Sequence, residues 1–385
     1  MMNGAMKIVY LLLHDFRFAS LRVEDFAFKR FHFSKEYAKR MAQLGHDVKL
    51  YIMADDIARK QVVEVEEMEV KAFNVSLQFP PMMRFGNAHN LGVLGEIERD
   101  SPDVVHLHNY YLWNFLYTAP WVKRLKLPLV AQFHGTDPIR RVKASIFYPS
   151  LRLCDRLLVP IRSEEDFLIR SMRIPANRVW RFPSTGVNTQ LFHRTATKEE
   201  DPLLLYVGRI PEPSSYRWEK APQYLLPILR ALRKNGVRAR LMVVGDGPGL
   251  PSLSRDAERL GLRDSVLFLG QLDNERLPEL YSRSWVTFVP MHMEDIEPFW
   301  GGTLQESLAC GTPVIAFNAE SPGFRKFGLL VSPRAESAFK LIETALANPA
   351  RLVSAGDEGL EFIKENCDWN TLAQRLNSLY SSLVK

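Results

Sequence analysis

Residues Glu297 to Phe317 read EPFWGGTLQESLACGTPVIAF, and the rest of the chain falls into place around them. Gly301 and Gly302 let the backbone turn tightly and come close to another group. Thr303 to Cys310 follows as a short helix. Thr303 is expected to cap it, and Glu306, three residues on, to complete a capping box. Gly311 stops the helix and Thr312-Pro313 bars its continuation. Val314-Ile315-Ala316-Phe317 is then a buried strand. A glycine turn that opens a helix presents unpaired N–H groups and the positive end of the helix dipole, which suits an anion. Taken alone, the same residues have a plainer account: a turn, a cap and a solvated carboxylate at Glu297.

The whole stretch resembles the C-terminal signature of the retaining nucleotide-sugar glycosyltransferases called group 1, or family 4. That signature runs Glu, Pro or Gly, Phe, a glycine-bearing turn, a helix reading Glu-Ala-Met-Ala-Cys-Gly, and a Pro-Val-Ile strand. Here the helix is Glu306-Ser307-Leu308-Ala309-Cys310-Gly311, followed by Thr312-Pro313-Val314-Ile315. The resemblance implies that Glu306 binds the ribose of the donor and Glu297 its sugar, with backbone N–H groups near Gly302, Thr303 and Leu304 on the diphosphate. The family places seven residues between its two glutamates. Eight lie between Glu297 and Glu306, and Trp300 is the extra one.

Working back from this stretch, Leu203 to Val207 is a strand followed by Gly208-Arg209, similar to the family's Val-Gly-Arg. Lys220 follows after a loop from Pro211 to Glu219. The resemblance implies that Arg209 and Lys220 clamp the diphosphate. Fixed cations suit that task, because a departing nucleoside diphosphate gains negative charge in the transition state. Leu241 to Val244 runs into Gly245-Asp246-Gly247, which is more simply a turn than a phosphate cradle. Val266 to Leu269 and Trp285 to Pro290 are further strands. Gly328-Leu329-Leu330-Val331 matches the family's Gly-Leu-Leu-Val.

The first half repeats the alternation. Lys7 to Leu13 is a continuous apolar run, hence a buried strand. No G-x-G-x-x-G follows it, which argues against a dinucleotide enzyme. A helix spans about Phe31 to Leu44, ends at Gly45, and leads into a strand from His46 to Tyr51. Val62 to Phe73 is strand material, and residues 74–90 are expected as loop. Pro102 to His108 and Leu129 to His134 are strands ending in polar residues, where ligands of open parallel sheets sit. The His134-Gly135-Thr136-Asp137 turn matches the family's His-Gly turn. The resemblance implies a catalytic place for His134 and an acceptor-side place for His108 and Asp137, although a lone buried His is as readily structural. Phe28-Lys29 stands where the family carries a Gly-Gly pair. The polar run 193–202 is read as the linker.

Composition sets the remaining bounds. The 385 residues are 46% hydrophobic and 24% charged, an ordinary soluble balance. No apolar run is long enough to span a membrane or to serve as a signal peptide. Three widely spaced cysteines suggest neither a disulfide framework nor a zinc site, so a cytoplasmic setting is expected. Residues 1–190 carry 27 Lys and Arg against 20 Asp and Glu, while the remainder carries 23 against 24. A basic first half suits an anionic partner. Residues 16–40 mix Phe16, Phe18, Phe26, Phe28, Phe31 and Phe33 with Arg and Lys. They suit either a core-facing helix or an anionic membrane surface on the inner face. Nothing resembles a nucleic-acid-binding motif.

The expectation is two doubly wound Rossmann-like α/β domains facing a cleft, the GT-B fold. Residues 1–192, joined by helix 369–385, form the acceptor side, and residues 203–368 bind the nucleotide-sugar. The implied activity is hexose transfer from a UDP- or GDP-linked sugar to a glycan or lipid-linked hydroxyl acceptor. No Asp-x-Asp motif is present, so no metal and no cofactor are expected. A phosphorylase, or a catalytically silent scaffold that binds nucleotide or a partner, would keep the same fold.

Overall fold

Strand and helix alternate to build two separate, mainly parallel sheets. The computed structural model describes residues 4–14, 22–29, 32–80, 87–134, 140–215, 222–293, 298–319, 329–332 and 334–384. The chain divides into two units, Met1–Ser184 with Trp369–Lys385, and Thr185–Asp368.

The first unit contains strands β1 (Lys7–Leu12), β2 (Asp47–Ala54), β3 (Gln61–Val65), β4 (Met68–Asn74), β5 (Leu77–Gln78), β6 (Ala88–His89), β7 (Val104–His108), β8 (Leu129–Gln132), β9 (Arg156–Val159) and β10 (Val179–Arg181). Its main sheet has the order β10-β9-β8-β7-β1-β2-β4-β3. Every ladder is parallel except β3 with β4, which form an antiparallel hairpin. The segment expected as loop, 74–90, carries the short β5–β6 ladder. In β1 both faces are buried, which is why its sequence is apolar throughout instead of alternating. Ile8, Tyr10 and Leu12 pack with Tyr37 and Met41 of helix α1 (Phe33–Gln43). Buried positions 34, 37, 38, 41 and 42 form the i, i+3, i+4 stripe that a core-facing helix needs. Each fully buried Leu or Ile is worth about 1.5–3 kcal/mol relative to exposure.

The second unit contains β11 (Leu203–Val207), β12 (Arg240–Val244), helix α2 (Leu277–Arg283), and strands β13 (Val266–Gly270), β14 (Val286–Met293), β15 (Val314–Ala319) and β16 (Leu329–Ser332), with helix α3 (Thr303–Ala309) between β14 and β15. The sheet is parallel, in the order β13-β12-β11-β14-β15-β16. Alternate β11 residues feed opposite cores, Leu204 and Tyr206 one, Leu203 and Leu205 the other. In both sheets the strand order reverses beside the first strand, at β1/β7 and at β11/β14. Ligands of doubly wound sheets bind at the carboxyl ends of strands at that reversal.

Two expectations about the domain border change. The division falls at Ser184/Thr185, and the polar run 193–202 is anchored within the second unit. The Thr195 N–H donates to Ser282 Oγ (3.0 Å), Lys198 Nζ donates to Ser284 O (2.7 Å), and Arg194 pairs with Asp357 (2.5 Å). Its polarity serves these bonds. Helix α4 (Trp369–Leu383) belongs to the first unit. Trp369 meets Tyr37 edge-on at 4.8 Å, and the Tyr380 and Tyr10 hydroxyls lie 3.0 Å apart.

Candidate active site

The second unit gathers a set of turns at the carboxyl ends of β11 and β12. The Gly208 N–H donates to Val244 O (2.9 Å) and the Ile210 N–H to Asp246 O (2.9 Å), so the two turns interlock. Gly245 makes this approach possible. Its φ is +131°, and a Cβ there would lie 2.0 Å from Gly208 O. The Gly245-Asp246-Gly247 segment is thus a turn that lets strands approach. Tyr206 Oη donates to Arg209 O (2.7 Å), which fixes the backbone of the Arg209 turn and leaves its side chain exposed.

Helix α3 is tied to that turn. Thr303 Oγ1 donates to Val207 O at 3.0 Å. The expected cap is corrected by one residue: Gly302, at φ +58°, is the N-cap, and Thr303 is the first helical residue. The Glu306 N–H donates to Gly302 O (3.0 Å), and the Thr303 hydroxyl bonds to β11. Glu306 thus stands one position beyond that of a capping box, and its Oε2 accepts from Tyr281 Oη of α2 (2.7 Å). Burial, reinforced by Glu306, pushes the Tyr281 hydroxyl well above its ordinary pKa, so it stays protonated and keeps donating. Gly301, at φ +96°, closes on Thr185, while Gln305 Nε2 donates to Thr185 O (3.1 Å). At the other end of α3, Ser307 Oγ donates to Thr312 O (2.9 Å), and Lys198 Nζ donates to Thr312 Oγ1 (2.5 Å). Burial, with Arg194 nearby, brings the Lys198 ammonium down to about 7. Leu304 is buried and Gly302 exposed at the start of α3.

In the first unit, His108 ends β7 and His134 follows β8. His108 is fully buried, and its Nδ1 lies 2.7 Å from His134 Nε2. His134 is half-buried and its ring stacks on Phe33 at 4.0 Å, while its backbone N–H donates to Asn109 Oδ1 (3.2 Å). His14, His32 and His106 complete a cluster of five among the nine histidines of the chain. Burial holds His108 and His134 well below the usual histidine range, and the neighbouring imidazoles add to it. Both are therefore neutral at pH 7. Of the aromatic-basic stretch, Phe26 is buried, Phe33 packs on His134, and Phe28 is 63% exposed. Phe16, Phe18 and Phe31 lie outside the described residues.

Glu297, Lys220 and Asp137 also lie outside the described residues. The structure therefore brings together Arg209, Gly302, Thr303, Leu304 and Glu306 in one unit and His108 and His134 in the other. Tyr281, Tyr206 and Thr185 were not singled out by sequence reading. They contact the site from 25, 3 and 120 residues away in the chain, and only Tyr206 adjoins a quoted motif. Among the described residues no group of His, Cys, Asp or Glu could hold a metal ion. A cavity of about 680 Å³ runs along the edge strand β13, lined by Leu203, Arg240, Met242, Val266, Leu269 and Arg283.

Two family models match consecutive parts of the chain: Glycosyltransferase Family 4 over residues 33–191 and Glycosyl transferases group 1 over residues 187–362. The chain belongs to the group 1 glycosyltransferases. The match to the second model covers Arg209, the Gly301-Gly302 turn and Glu306. The D-inositol 3-phosphate glycosyltransferase of Xylanimonas cellulosilytica is 28% identical over 326 residues, which is 73% of each chain. The GDP-mannose-dependent alpha-(1-6)-phosphatidylinositol monomannoside mannosyltransferase of Mycobacterium tuberculosis is 30% identical over 166 residues, 41% of this chain and 43% of the relative. The solved structure of Anabaena HepE in complex with UDP superposes with a TM-score of 0.69 at 15% identity, over 98% of this chain and 100% of that one. This group 1 glycosyltransferase has the two Rossmann-like units of the GT-B fold.

Proposed function

We propose that this glycosyltransferase moves a hexose, with retention at the anomeric carbon, from a UDP- or GDP-linked sugar to a hydroxyl of a glycan or lipid-linked acceptor. The observation that carries the reading is the joining of the Arg209 turn to the start of α3, through Tyr206 Oη to Arg209 O and Thr303 Oγ1 to Val207 O, with the Glu306 carboxylate held beside it by Tyr281. A cation, a helix N-terminus and a fixed carboxylate are the set a nucleoside diphosphate with a ribose needs, which supports the reading. Supporting relatives include one whose name specifies GDP-mannose and structures holding UDP and UDP-glucose.

In this reading Arg209 and Lys220 hold the diphosphate with the N–H groups of Gly302, Thr303 and Leu304. Glu306 accepts from the ribose hydroxyls and Glu297 from the sugar. His134 meets the reacting centre and Asp137 lies on the acceptor side. The bond from the anomeric carbon to the diphosphate oxygen breaks and one to the acceptor oxygen forms. The acceptor proton goes to the departing diphosphate oxygen. The charge that develops there is stabilised by the fixed cations, so neither a metal ion nor a cofactor enters the step. The protein works in the cytoplasm, peripherally on the inner face of the membrane, with residues 16–40 against anionic lipid. The exposed Phe28 and the basic first half support this placement. Among the described residues no helix is long and apolar enough to cross a membrane.

A thermal-shift panel of UDP, GDP, ADP and CMP tests the donor side. The correct nucleotide at 100 times its Kd adds about 2.7 kcal/mol, a rise on the order of 5–10 °C in a unit of this size. Glu306→Gln should shrink that rise, since the ribose hydroxyls lose a charged acceptor. No rise with any nucleotide would remove the donor assignment. Cosedimentation with phosphatidylserine vesicles at low salt checks the membrane surface, and recovery of all protein in the supernatant would end that part of the proposal.

A further inference from the structure

We infer that Tyr281 is a positioning residue: its hydroxyl holds the Glu306 carboxylate in one orientation, and through that orientation the site selects a ribose diol over a sugar that lacks one. The inference deepens the proposed function and rests on the place given there to Glu306. It starts from the 2.7 Å bond that Tyr281 Oη donates to Glu306 Oε2. A phenol carries one proton and an ionised carboxylate none, so the bond runs in one direction.

Tyr281 is itself rigidly held. It is fully buried on α2 and shares one core with Leu304 and Leu308 of α3 and with Phe192, whose ring meets it edge-on at 6.2 Å. Its backbone is fixed as well, because the Tyr281 carbonyl accepts from Thr312 Oγ1 (2.6 Å), just past the end of α3. One residue of α2 therefore grips the α3 segment at two points, by its side chain at Glu306 and by its carbonyl at Thr312. Glu306, by contrast, is half-buried. A glutamate has three side-chain torsions, and freezing them at the moment of binding costs affinity. The bond to Tyr281 freezes them before a nucleotide arrives.

The consequence is selectivity. A carboxylate offers about four lone-pair sites on its two oxygens, and one phenol proton uses a single one of them. A carboxylate so held can still accept from the two vicinal hydroxyls of a ribose. When a sugar without those hydroxyls binds, a fixed carboxylate loses water and gains no donor, so the analogue is rejected. A mobile carboxylate would turn back to water and discriminate less.

The test is titration calorimetry with UDP or GDP, whichever the thermal-shift panel selects, and with its 2′,3′-dideoxy counterpart. The wild type should bind the ribose form about tenfold or more tightly than the dideoxy form. Tyr281→Phe keeps the ring and deletes the hydroxyl. It should weaken the ribose form about 3- to 10-fold, the cost of ordering one side chain on binding, and leave the dideoxy form unchanged. The ratio of the two affinities then falls by the same factor. Lost packing alone would weaken both forms together and leave the ratio intact. Glu306→Asp keeps the charge, shortens the arm by one methylene beyond the reach of Tyr281, and should lower the ratio in the same way. In a Glu306→Ala background, Tyr281→Phe should not change the ratio. Crystal structures of the unliganded proteins give a second readout, with one Glu306 rotamer on Tyr281 in the wild type and several in the Phe variant. An unchanged ratio in Tyr281→Phe overturns the selectivity, and a single unmoved Glu306 rotamer in that variant overturns the positioning. If neither nucleotide binds the wild type, the proposed function fails, and the crystal structures still decide whether Tyr281 positions Glu306.

Discussion

Arg209→Ala is expected to lower the transfer rate by about 10²–10³-fold, the cost of removing one fixed charge from a developing anion. The side chain is exposed, while its backbone is held by Tyr206. Truncation therefore leaves the turn in place and changes the melting temperature little, since exposed substitutions usually cost no more than about 0.5 kcal/mol. Initial rates at saturating donor, measured beside the melting temperature of the unliganded protein, separate the two effects. A rate within threefold of the wild type at unchanged stability would place the diphosphate clamp elsewhere. Arg209→Lys should recover only part of the loss, because an ammonium cannot make the paired contact of a guanidinium.

Gly245→Ala should be the most damaging single methyl in the second unit. The added Cβ would fall 2.0 Å from Gly208 O and 2.9 Å from Gly208 C, both backbone atoms that cannot swing aside. The residue would also have to hold φ at +131°. Left-handed backbone costs an L-residue about 1–2 kcal/mol, and overpacking about 1–3 kcal/mol more. The sum, roughly 2–5 kcal/mol, corresponds to a fall on the order of 5–15 °C. Because Gly208 precedes Arg209, the same shift should displace the Arg209 turn and weaken nucleotide binding. Calorimetry decides the first point, and a melting temperature within 2 °C of the wild type would show that the interlocked turns yield easily. Gly4→Ala, where nothing lies within 4 Å, serves as the control.

The alternation of strands and helices was legible because buried parallel strands write themselves as short apolar runs, as in Lys7–Leu12 and Leu203–Val207. The motif Glu306 to Gly311 located α3, and the run from Trp369 located α4. The exact cap was not legible: Thr303 and Gly302 are both acceptable N-caps, and the choice is made by Val207 O, which takes the Thr303 hydroxyl from 96 residues away. The border was misplaced for a similar reason. Residues 193–202 look like a linker because they are polar, and they are polar because Thr195 and Lys198 bond into the second unit. The partnership of His108 with His134 is a meeting of neighbouring strand ends, and nothing in either local sequence announces it. Glu306 alone could be read as ribose ligand or cap, and the Tyr281 hydroxyl was needed to show where its carboxylate is held.

Helix α4 is the last element of the chain, yet its Leu372, Leu376 and Tyr380 sit in the same core as Ile8, Tyr10 and Leu12 of β1. During synthesis, therefore, the first sheet emerges from the ribosome without one of the helices that covers it, and the whole of Thr185–Asp368 must be made before that helix arrives. At 5–20 residues per second the wait is about 10–40 s. For that interval Tyr10 and its neighbours face water or a chaperone, while the second unit, contiguous in sequence, can close as soon as it is released. The order of completion in the cell is thus the reverse of the order of translation, and a truncation that removes α4 should harm the beginning of the protein more than its middle.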